Sequence, residues 1–184
     1  MLHKFRNAMA QRDSQYTLSG FIEMDDAFFC GAAKGRGAAN KSTVLVKVES
    51  KDDPAGFIAM QTVESMEREQ VETVVKKRFA PTQRIRTDGY QSYSHLSGLG
   101  HQHDGSPVPS KQAAEELPWV DTAISNAKVF LLGTYHGVSH KHLQRYLDEF
   151  CYRFNRRSWE KQMTARLLTA CLRAKPVTFA ELTA

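Results

Sequence analysis

Three successive β-patterned segments, followed by a change of hydrophobic period, constrain this chain more than any other feature. Along Leu18–Phe29 the side chains alternate. Phe21, Glu23, Asp25 and Ala27 fall on one face, and Ile22, Met24, Asp26 and Phe28 on the other. Thr43-Val-Leu-Val-Lys-Val-Glu49 is rich in β-branched residues, and Phe57-Ile-Ala-Met-Gln-Thr-Val63 reads as a third strand. Two short loops link the three, which predicts an antiparallel meander. From Met66 to Phe79 the period becomes helical: Val71, Val74, Val75 and Phe79 share a stripe between charges, and Pro81 closes the segment. Arg84-Ile-Arg-Thr-Asp88 is a further short strand ending at Gly89, and Tyr90–Leu96 a short helix. His101–Ser110 reads as polar loop. Beyond Pro118 come three helical segments, about 121–132, 139–156 and 158–173, with Gly133 dividing the first two and Asn155–Ser158 the second two. A meander, a helical crossover, another strand and then helices give an α/β or α+β sheet covered by helices.

A length of 184 residues suits one domain. Hydrophobic residues at 41% and charged residues at 24% are ordinary for a globular chain. No apolar run approaches the roughly 20 residues of a membrane span, and Met1-Leu-His-Lys-Phe-Arg-Asn lacks the apolar core of a signal peptide. Cys30, Cys151 and Cys171 are odd in number and have no C-x-x-C spacing, which argues against a disulfide framework or a cysteine-rich zinc site. A cytoplasmic location is therefore expected. Residues 1–120 hold 15 Lys/Arg and 15 Asp/Glu, whereas 121–184 hold 10 and 5, so the net charge of +5 lies in the last third. That is the footprint of a polyanion binder, or simply of basic surface helices.

Asp25 and Asp88 each fall near the end of a predicted strand, where an α/β sheet places its chemistry. Two carboxylates brought together repel, and need either a raised pKa or a cation between them. Oxygen-only ligands suit Mg²⁺, and a pair of such ions can clamp both oxygens of a phosphoryl displacement. The bland alternative is a turn: Asp88-Gly89 is a good turn dipeptide by itself.

Gly35-Arg-Gly-Ala-Ala-Asn-Lys41-Ser42 nearly matches a phosphate-binding loop, but Asn40 replaces the second glycine and the following residues favour a strand, not a helix. A basic hairpin loop carrying Lys34, Arg36 and Lys41 against a nucleic-acid backbone, or a plain hairpin loop, fits better. The H-x-H pairs His101/His103 and His140/His142, like the other histidines, read as surface residues.

Several strings together resemble the insertion-sequence transposases of the ISXO-like type. They are Phe21-Ile-Glu-Met-Asp-Asp-Ala-Phe-Phe, Gly35-Arg-Gly, Lys41-x-x-Val-Leu-Val-Lys-Val-Glu, Thr87-Asp-Gly-Tyr-x-x-Tyr, Ile124-Ser-Asn-Ala-Lys, Gly133-Thr-Tyr-His-Gly-Val-Ser, and the long His142–Arg157 stretch. They occur in order from about Gly20 to Leu172. The resemblance implies a ribonuclease-H-like mixed sheet with a DDE-type site, in which Asp25 and Asp88 are the first two acidic positions. Asn126 takes the third, with Lys128 close behind. It implies Mg²⁺ or Mn²⁺ held by Asp25, Asp88 and Asn126. It also implies metal-dependent cleavage of DNA at element ends followed by strand transfer, with element-end and target DNA as partners, a homo-oligomer when active, and a nucleoid association when bound. Lys128, Arg145, Arg153, Arg156 and Arg157 are expected at phosphates.

Two departures accompany it. Asp121 stands where relatives carry histidine, which either adds an acidic group near the site or is a loss, and its angular separation from Asn126 on a helix makes it a poor substitute ligand in the same place. Relatives also begin with a zinc ribbon, so residues 1–17 are expected to be the remnant of a linker helix, 18–175 the catalytic domain and 176–184 a tail. Two other functions share these residues: a catalytically inactive remnant that binds DNA or joins an intact transposase, and a metal-dependent nuclease of the same fold.

Overall fold

The structure, a computed structural model, describes residues 1–30, 41–50, 55–105 and 116–183. Helix α1 (Leu2–Asp13) precedes strands β1 (Phe21–Cys30), β2 (Lys41–Ser50) and β3 (Ala55–Val63). Helix α2 (Arg68–Arg78) leads to β4 (Arg84–Thr87), two 3₁₀ turns and β5 (Gln102–Gly105). Helices α3 (Pro118–Tyr135), α4 (Leu143–Phe154), α5 (Met163–Arg173) and α6 (Phe179–Thr183) follow. The sheet order is β3-β2-β1-β4-β5. β1 pairs antiparallel with β2, and β2 with β3, so the predicted meander forms. β1 and β4, and then β4 and β5, pair parallel. This mixed sheet with helices packed on it is the ribonuclease-H-like fold that the resemblance implied.

The alternation in β1 sets the two faces. Ala27 and Phe29, with Val44, Val46 and Val48 across the ladder, pack under Ala123, Ile124 and Ala127 of α3 and Leu147 and Phe150 of α4. Ile22 and Met24, with Leu45 and Ile85, pack on Val71, Val74 and Val75 of α2 and on Tyr93 and Leu96. Both faces of β2 are therefore covered, which buries Lys47 and Glu49 as completely as Val46 and Val48. Helix α1 lies against α4 and α5: Met9 packs on Tyr152 and Ala170, and Arg6 Nε bonds Glu149 Oε2 at 2.8 Å.

Three expectations need correction. Gln102-His-Asp-Gly105, read as loop, is an edge strand paired with β4. Its polar residues carry no strand signal, and only the pairing with β4 draws them into the sheet. Gly133 does not divide two helices but lies inside α3, which ends at His136 in the left-handed conformation, φ 53°. Burial of Leu131 holds the helix through the roughly 1 kcal/mol cost of a helical glycine. The stretch 176–184, expected as tail, contains α6, whose start is fixed by Thr178 N donating to Glu181 Oε2 at 2.7 Å.

Candidate active site

β1 and β4 bring Asp25 and Asp88 together. The parallel register pairs Ile22 with Ile85 and Glu23 with Arg86. Asp25 and Asp88 each come two residues after the last of these pairs, and the charge of Asp88 acts on Asp25. Gly89, at φ 79°, turns the chain directly after Asp88, a conformation that a residue with a Cβ adopts at a cost. Within that turn Asp88 Oδ1 accepts from Tyr90 N at 2.9 Å, and Thr87 Oγ1 accepts from Gly89 N at 3.2 Å. His103 Nε2 lies 3.0 Å from the same Thr87 hydroxyl, tying the turn to β5. The Asp88-Gly89 turn and the convergence with Asp25 thus coexist.

The carboxylates act on one another. Asp25 is pushed from 3.8 up to about 7, chiefly by burial; a bond from Asp26 N opposes this, and the charges of Asp88, Asp26 and Asp121 add to it. Asp26, on the other face of β1, is also raised, first by burial and then by Asp88, while the Tyr93 hydroxyl 3.4 Å away works against the rise. A group of acids that hinder one another's ionisation is a place where a cation gains most.

Glu23 serves a different purpose. It is 2% exposed, and its Oε2 accepts from Trp119 N at 2.9 Å and Val120 N at 3.0 Å. These are the first-turn amides of α3, which have no partners within their own helix. A side chain of β1 therefore caps α3 across space and fixes how the helix sits over the sheet.

That placement decides which residues of α3 approach the aspartates. Val120, Ala123, Ile124, Ala127 and Leu131 form the buried face. Asp121 lies on one flank, and its charge acts on both Asp25 and Glu23. Lys128 is on the same flank, exposed, with Nζ 5.7 Å from the centre of the Phe29 ring. Asn126 is on a helix as expected, but it is exposed and about 140° round from Asp121. The sequence left open whether Asp121 adds an acidic group near the site. The apolar stripe of α3 gives the buried face of the helix, and the effect of the Asp121 charge on Asp25 puts Asp121 on the flank nearer the aspartates.

The ISXO2-like transposase domain matches residues 17–155. The chain belongs to this family. No protein of curated description matches the sequence. Among solved structures, the chain is similar to one in the simian T-cell lymphotropic virus intasome bound to the PP2A regulatory subunit B56 gamma, with 12% identity and a TM-score of 0.50 over 76% of this chain. It is also similar to a chain of the pre-cleavage Mos1 transpososome, with 9% identity and a TM-score of 0.40 over 96% of this chain. The chain spans 49% of the first and 64% of the second. At 12% identity the likeness to the first concerns the fold alone.

In this ISXO2-like domain the donor set fits a hard divalent cation. Among the described residues, no three His, Cys, Asp or Glu side chains converge tightly enough to ligate one ion. Asp25 and Asp88 supply two carboxylates, and Mg²⁺ commonly uses one or two together with water and phosphate oxygens.

The expected phosphate contacts are distributed otherwise. Arg156 is a correction: it is 7% exposed, with Nη2 2.6 Å from Asp13 Oδ1 and its guanidinium 3.6 Å from the centre of the Tyr152 ring. Docking of α1 places Asp13 there, and the buried carboxylate needs the cation. Arg153 is exposed but bonds Glu149 at 2.8 Å. Arg145 donates to Leu182 O at 2.6 Å, and Arg157 donates to the carbonyls of Phe154 and Ala55. Lys41 begins β2, with Nζ 5.9 Å from the centre of the Phe28 ring. Lys34 and Arg36 lie outside the described residues. His95, expected on the surface, is buried, with Nε2 3.7 Å from Glu72, because the 3₁₀ turns fold it onto α2. Among the described residues no helix is long and apolar enough to cross a membrane.

Proposed function

We propose that this domain cleaves DNA at the ends of an insertion sequence and joins the freed ends to target DNA. The observation that carries this reading is the juxtaposition of Asp25 and Asp88 on adjacent parallel strands, with Asp25 raised to about 7 among neighbouring carboxylates. Asp25 and Asp88 would hold Mg²⁺ or Mn²⁺. Asp121 supports them from α3 on electrostatic grounds, and Asn126 is the third position by resemblance. A bound divalent ion would supply Lewis-acid polarisation of a phosphate and a more acidic bound water.

The chain's own residues do the positioning. The turn at Gly89 fixes Asp88, and Glu23 fixes α3. Lys128 of α3 and Lys41, which pairs with Cys30 beyond Asp25 on β1, are exposed cations for the DNA backbone. In the first step water attacks a phosphorus atom and the P–O3′ bond breaks, leaving a 3′-hydroxyl. In the second, that hydroxyl attacks a target phosphodiester and displaces its 3′ oxygen. Activity in a homo-oligomer, and association with the nucleoid, belong to the same proposal.

Incubation of the protein with labelled element-end DNA and Mg²⁺ or Mn²⁺ tests it. Nicked product that is lost in Asp25→Asn and Asp88→Asn supports the site, and joined product separates a transposase from a nuclease. Binding without any nicking would point to the inactive remnant, a reading favoured by the lack of a third converging ligand among the described residues.

A further inference from the structure

Away from the aspartates, α1, the end of α4, the following 3₁₀ turn (Arg157–Gln162) and α5 enclose two adjoining clefts of about 410 and 460 Å³. Arg12, Arg156 and Arg166 line both, so the two form one groove. Arg157 extends it at one end and Arg173 at the other. Arg156 is neutralised by Asp13. Arg12, Arg157, Arg166 and Arg173 have no carboxylate partner among the described residues. Among the described residues, Arg166 hydrogen-bonds the Gln162 amide, at 3.1 Å, and its buried Nε finds no partner. Among the described residues the acid lining the groove is Glu49, which is turned inward and accepts from Ser19 N at 2.8 Å and Tyr16 Oη at 3.3 Å. Four cations thus line a concave surface without a carboxylate partner among the described residues.

The aromatic content narrows the occupant. Trp159 is 47% exposed at the groove, with the Arg166 guanidinium 4.6 Å from its ring centre, and Tyr16 is stacked on Phe57 at 3.9 Å. Planar guanidinium forks match phosphate oxygens, and aromatic faces beside them suit the sugar and base edges of a nucleic-acid strand. A single small anion would leave most of this surface unused.

The groove is separate from the candidate active site. It opens where Ala55 pairs with Ser50 and Ser50 with Phe21, at the start of β1. Asp25 is four residues further along, about 13 Å, and β3 is two strands away, about 10 Å. We infer that this arginine groove holds the backbone of a DNA segment other than the one cut at Asp25 and Asp88. The inference rests on the proposed function for the identity of the polyanion, and names a second contact that the aspartates do not supply.

Binding of labelled random-sequence DNA, duplex and single-stranded, is measured with the full chain by anisotropy at several salt concentrations. Arg12→Gln/Arg166→Gln/Arg173→Gln is expected to weaken binding at least about tenfold, and to flatten the duplex slope of log K against log salt by about 2 to 3. Arg12→Lys/Arg166→Lys/Arg173→Lys retains the charges and is expected to keep most of that slope, which separates lost phosphate contacts from lost folding. An unchanged affinity and slope in the glutamine variant overturns the inference. So does a wild-type chain that binds no DNA, including one that instead elutes as a dimer broken by the same substitutions. Asp25→Asn is measured alongside. If it still cuts DNA while the glutamine variant loses binding, the catalytic reading falls and the groove stands. If it stops cutting while the glutamine variant binds normally, the reverse holds.

Discussion

Arg156 and Asp13 form a buried ion pair, with 2.6 Å between Nη2 and Oδ1 and 8% exposure of each side chain. Asn155 Nδ2 donates to the other oxygen of the same carboxylate at 3.0 Å. The pair joins the end of α1 to the end of α4. Arg156→Met leaves the Asp13 charge buried without its partner, and a loss of about 3–5 kcal/mol is expected in urea unfolding. DNA binding by the folded fraction is expected to stay near wild type, since this guanidinium faces inward. A variant with unchanged stability and reduced DNA affinity would place Arg156 at phosphate after all.

Glu23 is expected to matter for stability and for the geometry of α3 together. Glu23→Ala removes the acceptor of two first-turn amides inside the protein, at a cost of about 1–3 kcal/mol. Glu23→Gln keeps an acceptor oxygen and is expected to recover most of that loss. Chemical denaturation of the two variants checks the order; equal losses would mean that the charge, and not the cap, is what α3 requires.

Asp121 and Asn126 can be separated by direct measurement of Mn²⁺ binding in the absence of DNA. Asp121 acts on Asp25, while Asn126 is exposed about 140° away on the helix. Asp121→Asn is therefore expected to weaken Mn²⁺ binding several-fold, and Asn126→Ala to leave it within about twofold, since an exposed neutral group adds little charge. The opposite ranking would restore Asn126 as the third position.

Lys47 predicts a pH dependence. It is fully buried, Nζ has no hydrogen-bond partner among the described residues, and its pKa is lowered from 10.5 to about 7, first by burial and then by Arg78. The unfolded chain then binds more protons than the folded one between those values. This group's contribution to stability is complete above 10.5 and is lost as the pH falls through 7. Thermal unfolding is expected to show Tm rising with pH across that window, and Lys47→Met to flatten the rise while gaining on the order of 1 kcal/mol at pH 7. An identical pH slope in the variant would show that Lys47 does not carry it.

Apart from β5, the order of strands and helices was legible from hydrophobic period, because burial of alternating residues in β1 and of the Val71/Val74/Val75 stripe is a local consequence of where apolar side chains stand. Asp25 and Asp88 were legible as strand-end acids. Their meeting was not, because only the parallel register of β1 and β4 sets one beside the other. β5 escaped notice for a related reason: Gln102-His-Asp-Gly105 is a strand by virtue of its neighbour and not of its composition. Arg145, Arg153, Arg156 and Arg157 read alike as phosphate contacts. Tertiary packing set Arg156 apart, since Asp13 came to lie beside it through a contact far apart in sequence, whereas Arg153 meets Glu149 one turn away on the same helix. Sequence by itself thus determined which segments are β or helical and which residue types could do phosphoryl chemistry. The tertiary structure decided which charges are paired and which remain open to a ligand, because a charge in low dielectric is governed by the groups that packing brings to it.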